Sequence, residues 1–330
     1  MKPGNKRWGH YEDKRDWPNY NETLVKRGEL YLSLDFLETW SLDLQCMNQG
    51  KVGAKYIYPD PYITFLGYIH ILLGIDYRGL EGFTRGLTRL AAVPSPDYTT
   101  ICRRVNGLRV DIKTTLLAHS GEDLVVSLDS SGVKVTNRGE WIREKWKVRR
   151  GWIKVHIVVE EKGKQCVALA VTDDSVGDQE MFPPLMRVAD EVVRSVGGKV
   201  TQVNADGIHD TRENFMVLGV LGVTPGIKIR KNASALSRGC PLRRRHVLEY
   251  QELGYAGWRD RYRYGYRWRV EGCFSAVKRI MGECVMASGK EYMYGEVALK
   301  FLFYNALLRF DAIGVSPWAR NEMNNRETPS

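Results

Sequence analysis

Four residues in the segment YGYRWRVEGCFSAVKR have types and spacing that suit chemistry on phosphate: Tyr264, Arg267, Glu271 and Lys278. Read as one α-helix, they fall on a single stripe, because their offsets of 3, 4 and 7 return to the same face. The stripe carries a phenol, a guanidinium, a carboxylate and an ammonium. A guanidinium grips phosphate through two parallel hydrogen bonds, and an ammonium does so as a point charge. The plain alternative is that Glu271 simply pairs with Arg267 one turn away.

Two aspartates earlier in the chain have a matching character. Asp129 closes the apolar run of VVSLDSSG, and Asp206 closes that of QVNADGIHD. A carboxylate at the end of an apolar strand is poorly solvated unless a cation meets it. Taken singly, each would be read as a turn cap. Three acids brought together repel, and a divalent ion reverses that cost. Hard oxygen donors suit Mg²⁺, with Mn²⁺ as a substitute. Two such ions about 3.5–4 Å apart activate a nucleophile and stabilise the leaving oxygen of a phosphodiester. Asp129, Asp206 and Glu271 are therefore the candidate catalytic and metal-binding residues. Arg267 and Lys278 are the candidate phosphate contacts, with Tyr264 beside them on the DNA backbone.

The elements that must hold these residues follow from periodicity and turn residues. Strands are expected at 123–135, 151–160 and 165–173, then a helix in the later part of 178–196. A strand at 199–207, a helix at 211–222 and a strand at 224–230 follow. The order β-β-β-α-β-α-β builds a mixed α/β sheet, whose strand ends are the usual place for a site. Beyond it come a basic, irregular stretch at 231–257, the helix at 264–279 and an apolar helix at 295–310. Residues 31–118 read as helices, at 62–75, 77–90 and 94–108, the last with Asp97 as N-cap. A Pro-rich turn before Thr99, Thr100, Arg103 and Arg104 has the composition of a helix-turn-helix that enters a major groove. Spacing alone suits a plain helical bundle somewhat better. The expected organisation is a flexible segment at 1–30, a helical DNA-binding domain at 31–118, a catalytic domain at 119–312 with a basic insertion at about 231–257, and a polar tail at 313–330.

Charge sharpens the partner class. The net charge is +10 over 330 residues. Between Lys228 and Arg279 stand fourteen Lys and Arg against four acids, a surplus equal to that of the whole chain. Tyr250, Tyr255, Trp258, Tyr262, Tyr264, Tyr266 and Trp268 are interleaved with them. Basic residues alternating with rings fit a surface that holds phosphates and stacks on bases. Arg243, Arg244 and Arg245 are its densest run, and Trp141, Trp146 and Trp152 sit among basic residues elsewhere. The six cysteines are scattered with no C-x-x-C pair, and the six histidines lack metal-ligand spacing. The charged N-terminus has no apolar core, and no run reaches the roughly eighteen apolar residues of a membrane span. A reducing, cytoplasmic and nucleoid-associated setting is expected.

With these residues in hand, the sequence resembles the DDE transposases of insertion sequences, in the group with a Y-x2-R-x3-E-x6-K signature (insertion sequence family five type). Tyr264, Arg267, Glu271 and Lys278 match that signature in spacing and identity. LDSSGVKVTNRGEW with RRGWIKVHIVV is similar to the family's first-aspartate block, and ADGIHDTRENF to its second. The resemblance spans roughly residues 60–310. It implies a ribonuclease-H-like catalytic core and a two-metal site from Asp129, Asp206 and Glu271. It also implies cleavage at transposon ends and strand transfer into target DNA, with a homodimer or larger assembly on DNA. The second block departs from the family at Ile208 and His209, where a small residue and Tyr are common; His209 reads as packing. Two other readings stay open: a catalytically inactive, transposase-derived DNA-binding protein, and a ribonuclease-H-like nuclease that cuts without joining.

Overall fold

The computed structural model describes residues 16–91, 93–108, 112, 116, 122–135, 144, 152–236 and 238–314. The helical region contains α1 (Trp17–Glu29), α2 (Trp40–Asn48), α3 (Asp60–Leu73), α4 (Tyr77–Ala91) and α5 (Tyr98–Asn106). The sheet region follows as β1 (Asp123–Val135), β2 (Trp152–Glu160), β3 (Cys166–Asp173), α6 (Asp178–Ser195), β4 (Lys199–Ala205), α7 (Arg212–Leu221) and β5 (Thr224–Ile227). The chain ends with α8 (Pro241–Arg261), α9 (Trp268–Met281), β6 (Cys284–Val285) and α10 (Lys290–Ile313).

The strands lie in the order β3-β2-β1-β4-β5, and β6 adds to the far end of β1. β1, β2 and β3 are antiparallel neighbours, while β4 and β5 run parallel to β1. This is the ribonuclease-H-like mixed sheet expected above, preceded by helices. Side chains alternate across each strand, so the two faces fill different cores. Leu124, Val126 and Leu128 of β1 meet Phe182, Leu185, Met186 and Ala189 of α6 on one face. Val133 and Val135 of β1, with Ile153, Val155, Ile157 and Val159 of β2, pack on the other. There they meet Val270, Cys273 and Val277 of α9 and Val297 and Phe301 of α10.

That second core does not stop at residue 118. It continues through Tyr62, Phe65, Leu66 and Ile69 of α3, Leu80 and Leu87 of α4, and Ile101 and Val105 of α5. The helical region and one sheet face thus share one core, with residues from both sides of the expected boundary at 118/119. Nor is all of 1–30 loose: residues 17–29 form α1, capped by Asp16, which accepts from the Asn19 amide at 3.3 Å. Arg27 on its last turn donates to Asp311 of α10 at 2.9 Å, tying this helix to the last one. The tail beyond 314, with the first fifteen residues, lies outside the described residues.

The basic stretch at 231–257 is not irregular throughout. Pro241 opens α8 at a position where a missing amide costs nothing, and His246, Val247 and Trp258 bury one side of it. Charge density hid this stripe in the sequence. The helix breaks at Gly254, whose φ of 63° only glycine adopts readily. α6 starts at Asp178 rather than late in its segment, and Pro183 and Pro184 lie inside it. The burial of Phe182, Leu185 and Met186 outweighs the lost hydrogen bonds.

His246 of α8 and His156 of β2 are both buried, and burial pushes each imidazole down to about 4. Both are neutral in the fold, whereas the unfolded chain protonates them near pH 6.5. Their contribution is present above that pH and is lost as pH falls through it toward 4. Thermal midpoints measured from pH 7 to 4 should fall over this window, and His246→Gln should flatten the profile. An unchanged slope in the variant would place the acid sensitivity elsewhere.

Candidate active site

Residues Ser127 and Asn204 are paired across parallel strands β1 and β4. Carrying that register two residues on brings Asp129 beside Asp206. β4 ends at Ala205, while β1 continues to Val135 on its pairing with β2. Asp129 is therefore not at a strand end; it stands where its neighbouring strand stops. The Ser130 amide donates to Asp129 Oδ1 at 2.8 Å. Arg267 donates to Asp129 Oδ2 at 2.9 Å and to Glu271 Oε1 at 2.7 Å. One guanidinium thus bridges two of the three expected acids. Burial holds the Asp129 carboxyl above the usual carboxylate range, with the charge of Asp206 adding to it and Ser130 and Arg267 opposing it.

The signature stripe has a different backbone from the one expected. Tyr264 to Arg267 form a 3₁₀ turn, and only from Trp268 does the α-helix begin. Arg263 enters that turn at a φ of 48°, a left-handed conformation for a non-glycine residue. Two of the four, Arg267 and Lys278, reach the same strand, β1. Lys278 donates to Ser131 Oγ at 2.8 Å, one turn of pleat beyond Asp129 on the same face. Tyr264 is buried, with its ring 4.9 Å from that of Trp258, and burial pushes its hydroxyl up to about 12. It anchors the turn in the cluster of Trp258 and Tyr262. Glu271 is the opposite, with 56% of its side chain exposed at the mouth.

Asp206 caps the 3₁₀ turn Gly207–His209 and accepts from the Ile208 amide at 2.8 Å. The turn is held from below. Arg230 donates to the carbonyls of Gly207 and Ile208, both at 2.7 Å. Asp210, with its carboxylate fully buried, accepts from Arg243 Nε at 2.7 Å and from the Arg230 amide at 3.1 Å. His209 is buried against Phe182, with ring centroids 5.2 Å apart, as its packing role required.

On the opposite face of β1, Ser130 donates to Asp178 Oδ1 at 2.6 Å. Lys154 of β2 lies 2.7 Å from the same oxygen, and His156 Nδ1 at 3.4 Å. Asp178, Asp210 and Arg230 were not found from the sequence. Asp178 follows Gly177 at the start of a helix, and Asp210 lies four residues beyond Asp206; both are visible, but their partners are distant in the chain.

The expected DNA contacts divide. Arg103, Arg244 and Arg245 are exposed. Arg104 instead donates to Asp60 at 2.7 Å and to the Tyr58 carbonyl at 3.1 Å, over the ring of Tyr56, so it locks α5 to the start of α3. Arg243 is committed to Asp210. Thr99 and Thr100 spend their hydroxyls on the Asp97 cap. Trp152 is exposed and lies over Gly132; Trp141 and Trp146 fall outside the described residues. All six cysteines are free thiols. Among the described residues, no helix is long and apolar enough to cross a membrane. Nor do three Asp, Glu, His or Cys side chains there lie close enough to enclose a metal ion.

Residues 120–306, more than half of the chain, match the family described as the transposase DDE domain. The chain belongs to the DDE transposase family. A second family of the same description matches residues 25–138. The two matches overlap on the strand that carries Asp129, so the DDE transposase match covers the helical region as well as the sheet. Among solved structures, the chain is similar to the piggyBac transposase synaptic complex with hairpin DNA determined by cryo-EM. Identity is 11%, coverage is 93% of this chain and 82% of that one, and the TM-score is 0.36.

Proposed function

We propose that this DDE transposase binds the terminal repeats of its element, cuts the DNA ends and joins them to target DNA. The observation that carries this reading is the register of β1 with parallel β4, which sets Asp129 beside Asp206 just past the end of β4, with Glu271 paired to the same guanidinium as Asp129. The carboxylates supply hard oxygen donors, and Asp129 is under-compensated at the edge of a core, which fits a divalent cation. Asp129, Asp206 and Glu271 do not enclose an ion as they stand; they would hold Mg²⁺, with Mn²⁺ as a substitute, once Arg267 leaves its place between Asp129 and Glu271. Bound there, the metal supplies charge neutralisation at the phosphate and a more acidic water.

The rest falls to the chain. Arg267 and Lys278 flank Asp129 on the β1 face and hold phosphate oxygens. The Ser130 amide fixes Asp129, and the Arg230 grip fixes the turn carrying Asp206, so both carboxylates are in place before DNA arrives. Water displaces the 3′ oxygen at the transposon end. The freed 3′ hydroxyl then displaces a 3′ oxygen in target DNA, transferring one phosphodiester for another. Joining two ends calls for at least two copies of the chain.

The test is strand transfer by the purified protein with labelled end DNA, Mg²⁺ and a plasmid target, beside Glu271→Gln. Joined product with the wild type and none with the variant is the expected result. Cleavage without joining would favour a nuclease. Binding of ends with no chemistry in either protein would leave a DNA-binding relative without activity.

A further inference from the structure

A cleft of about 540 Å³ lies beneath the turn that follows Asp206, and four arginines line it: Arg212, Arg230, Arg238 and Arg243. Its volume is within the range of ligand-sized sites, roughly 300–1,000 Å³. One carboxylate, Asp210, shares the lining. Both of its oxygens are already taken, Oδ1 by Arg243 Nε at 2.7 Å and Oδ2 by Arg243 Nη2 and the Arg230 amide, each at 3.1 Å. The cleft therefore keeps a surplus of positive charge at close quarters, a cost that an anion removes.

Three of the four guanidiniums are tethered rather than loose. Arg212 donates to the Arg238 carbonyl at 2.6 Å, Arg230 to Gly207 and Ile208 at 2.7 Å, and Arg243 to the Ser234 carbonyl at 3.4 Å. Arg238 is held in a left-handed conformation at a φ of 43°. Arg212, Arg230 and Arg238 are nonetheless exposed. Forked donors fixed in place and open to solvent suit phosphate. Arg230 also binds the residue next to Asp206, so whatever anion it holds lies beside the reacting end of the DNA.

We infer that this cleft binds a DNA backbone phosphate close to the cleavage point, and that Arg212 and Arg238 are two of its exposed contacts. This assignment rests on the transposase reading and deepens it. The experiment uses the full chain with double-stranded end DNA. Affinity is measured against salt concentration, and then with neutral methylphosphonate placed at single positions near the cleavage point. The variant is Arg212→Gln/Arg238→Gln, which keeps a hydrogen-bonding side chain at 212. The control, Arg187→Ala/Lys199→Ala, removes the same charge from α6 and the start of β4.

The wild type should lose affinity at one or two phosphates near the cut. The cleft variant should be indifferent to methylphosphonate there, with its salt slope smaller by about 1–2, since each phosphate contact contributes about 0.9. A wild-type interference pattern and slope in the cleft variant would overturn the assignment, as would an equal change in the control. If the wild type joins ends in a Glu271-dependent manner while the cleft variant keeps the wild-type pattern, only this inference fails. If the wild type binds no DNA, the functional reading fails with it.

Discussion

Asp129→Asn should abolish strand transfer and at the same time raise the thermal midpoint of the metal-free protein. The loss follows from the metal's contribution of several kcal/mol at the transition state, which is on the order of 10³-fold in rate. The gain follows from electrostatics. Asp129 is held above the usual carboxylate range chiefly because it is buried, and Asp206 adds repulsion. The folded chain thus binds that proton more tightly than the unfolded chain. Its ionised form costs stability at neutral pH, and the cost fades as pH falls below the folded value toward the ordinary carboxylate range. Asparagine removes the charge in nearly the same volume. The variant's midpoint at pH 7 should therefore lie above that of the wild type. Melting in EDTA at pH 7 and again near pH 4 tests the sign, because the gain should vanish at the lower pH. Mg²⁺ at a hundred times its Kd should add about 2.7 kcal/mol to the wild type and nothing comparable to the variant. Equal stabilisation of both proteins by Mg²⁺ would remove Asp129 from the metal site.

The second large effect is structural. Asp210→Ala should destabilise the fold by about 3–5 kcal/mol, the usual cost of leaving one partner of a buried ion pair uncompensated. Arg243 keeps only 15% of its side chain exposed, so its charge cannot turn to water without moving α8. The Arg230 amide loses its acceptor in the same step, which loosens the grip on the turn behind Asp206. Replacing both partners, as Asp210→Leu/Arg243→Met, should recover most of the midpoint, because no unpaired charge remains. Failure of the double variant to recover would show that the pair stabilises through specific geometry rather than charge balance.

Much of the frame was legible in the sequence because it is local. β1 was expected at 123–135 and is found at Asp123–Val135, since apolar residues and turns mark a strand wherever it packs. Asp97 was legible as a cap for the same reason: the cap acts within three residues. The supporting groups of the site were not, because nothing local encodes them. Asp178 meets Ser130 across 48 residues, and Asp210 meets Arg243 across 33. Composition cannot tell an arginine that holds DNA from one that holds the fold, so Arg104 and Arg243 were counted with Arg103, Arg244 and Arg245. Two-residue β6 has too little pattern to be read, yet it pairs with β1, and Glu296 accepts from the Met286 and Ala287 amides just beyond it at about 3 Å.

The core shared by α3, the sheet and α10 has a consequence for how the protein is made. Ribosomes deliver α3 early and α10 last, and the chain lengthens by about 5–20 residues each second. The apolar side of α3 that meets Phe303 and its neighbours therefore waits on the order of tens of seconds for its cover. Until α10 emerges, Arg27 also has no Asp311 to hold α1. The unfinished polypeptide is thus sticky by construction, and an early stop codon anywhere before α10 leaves the first helices without a closed core.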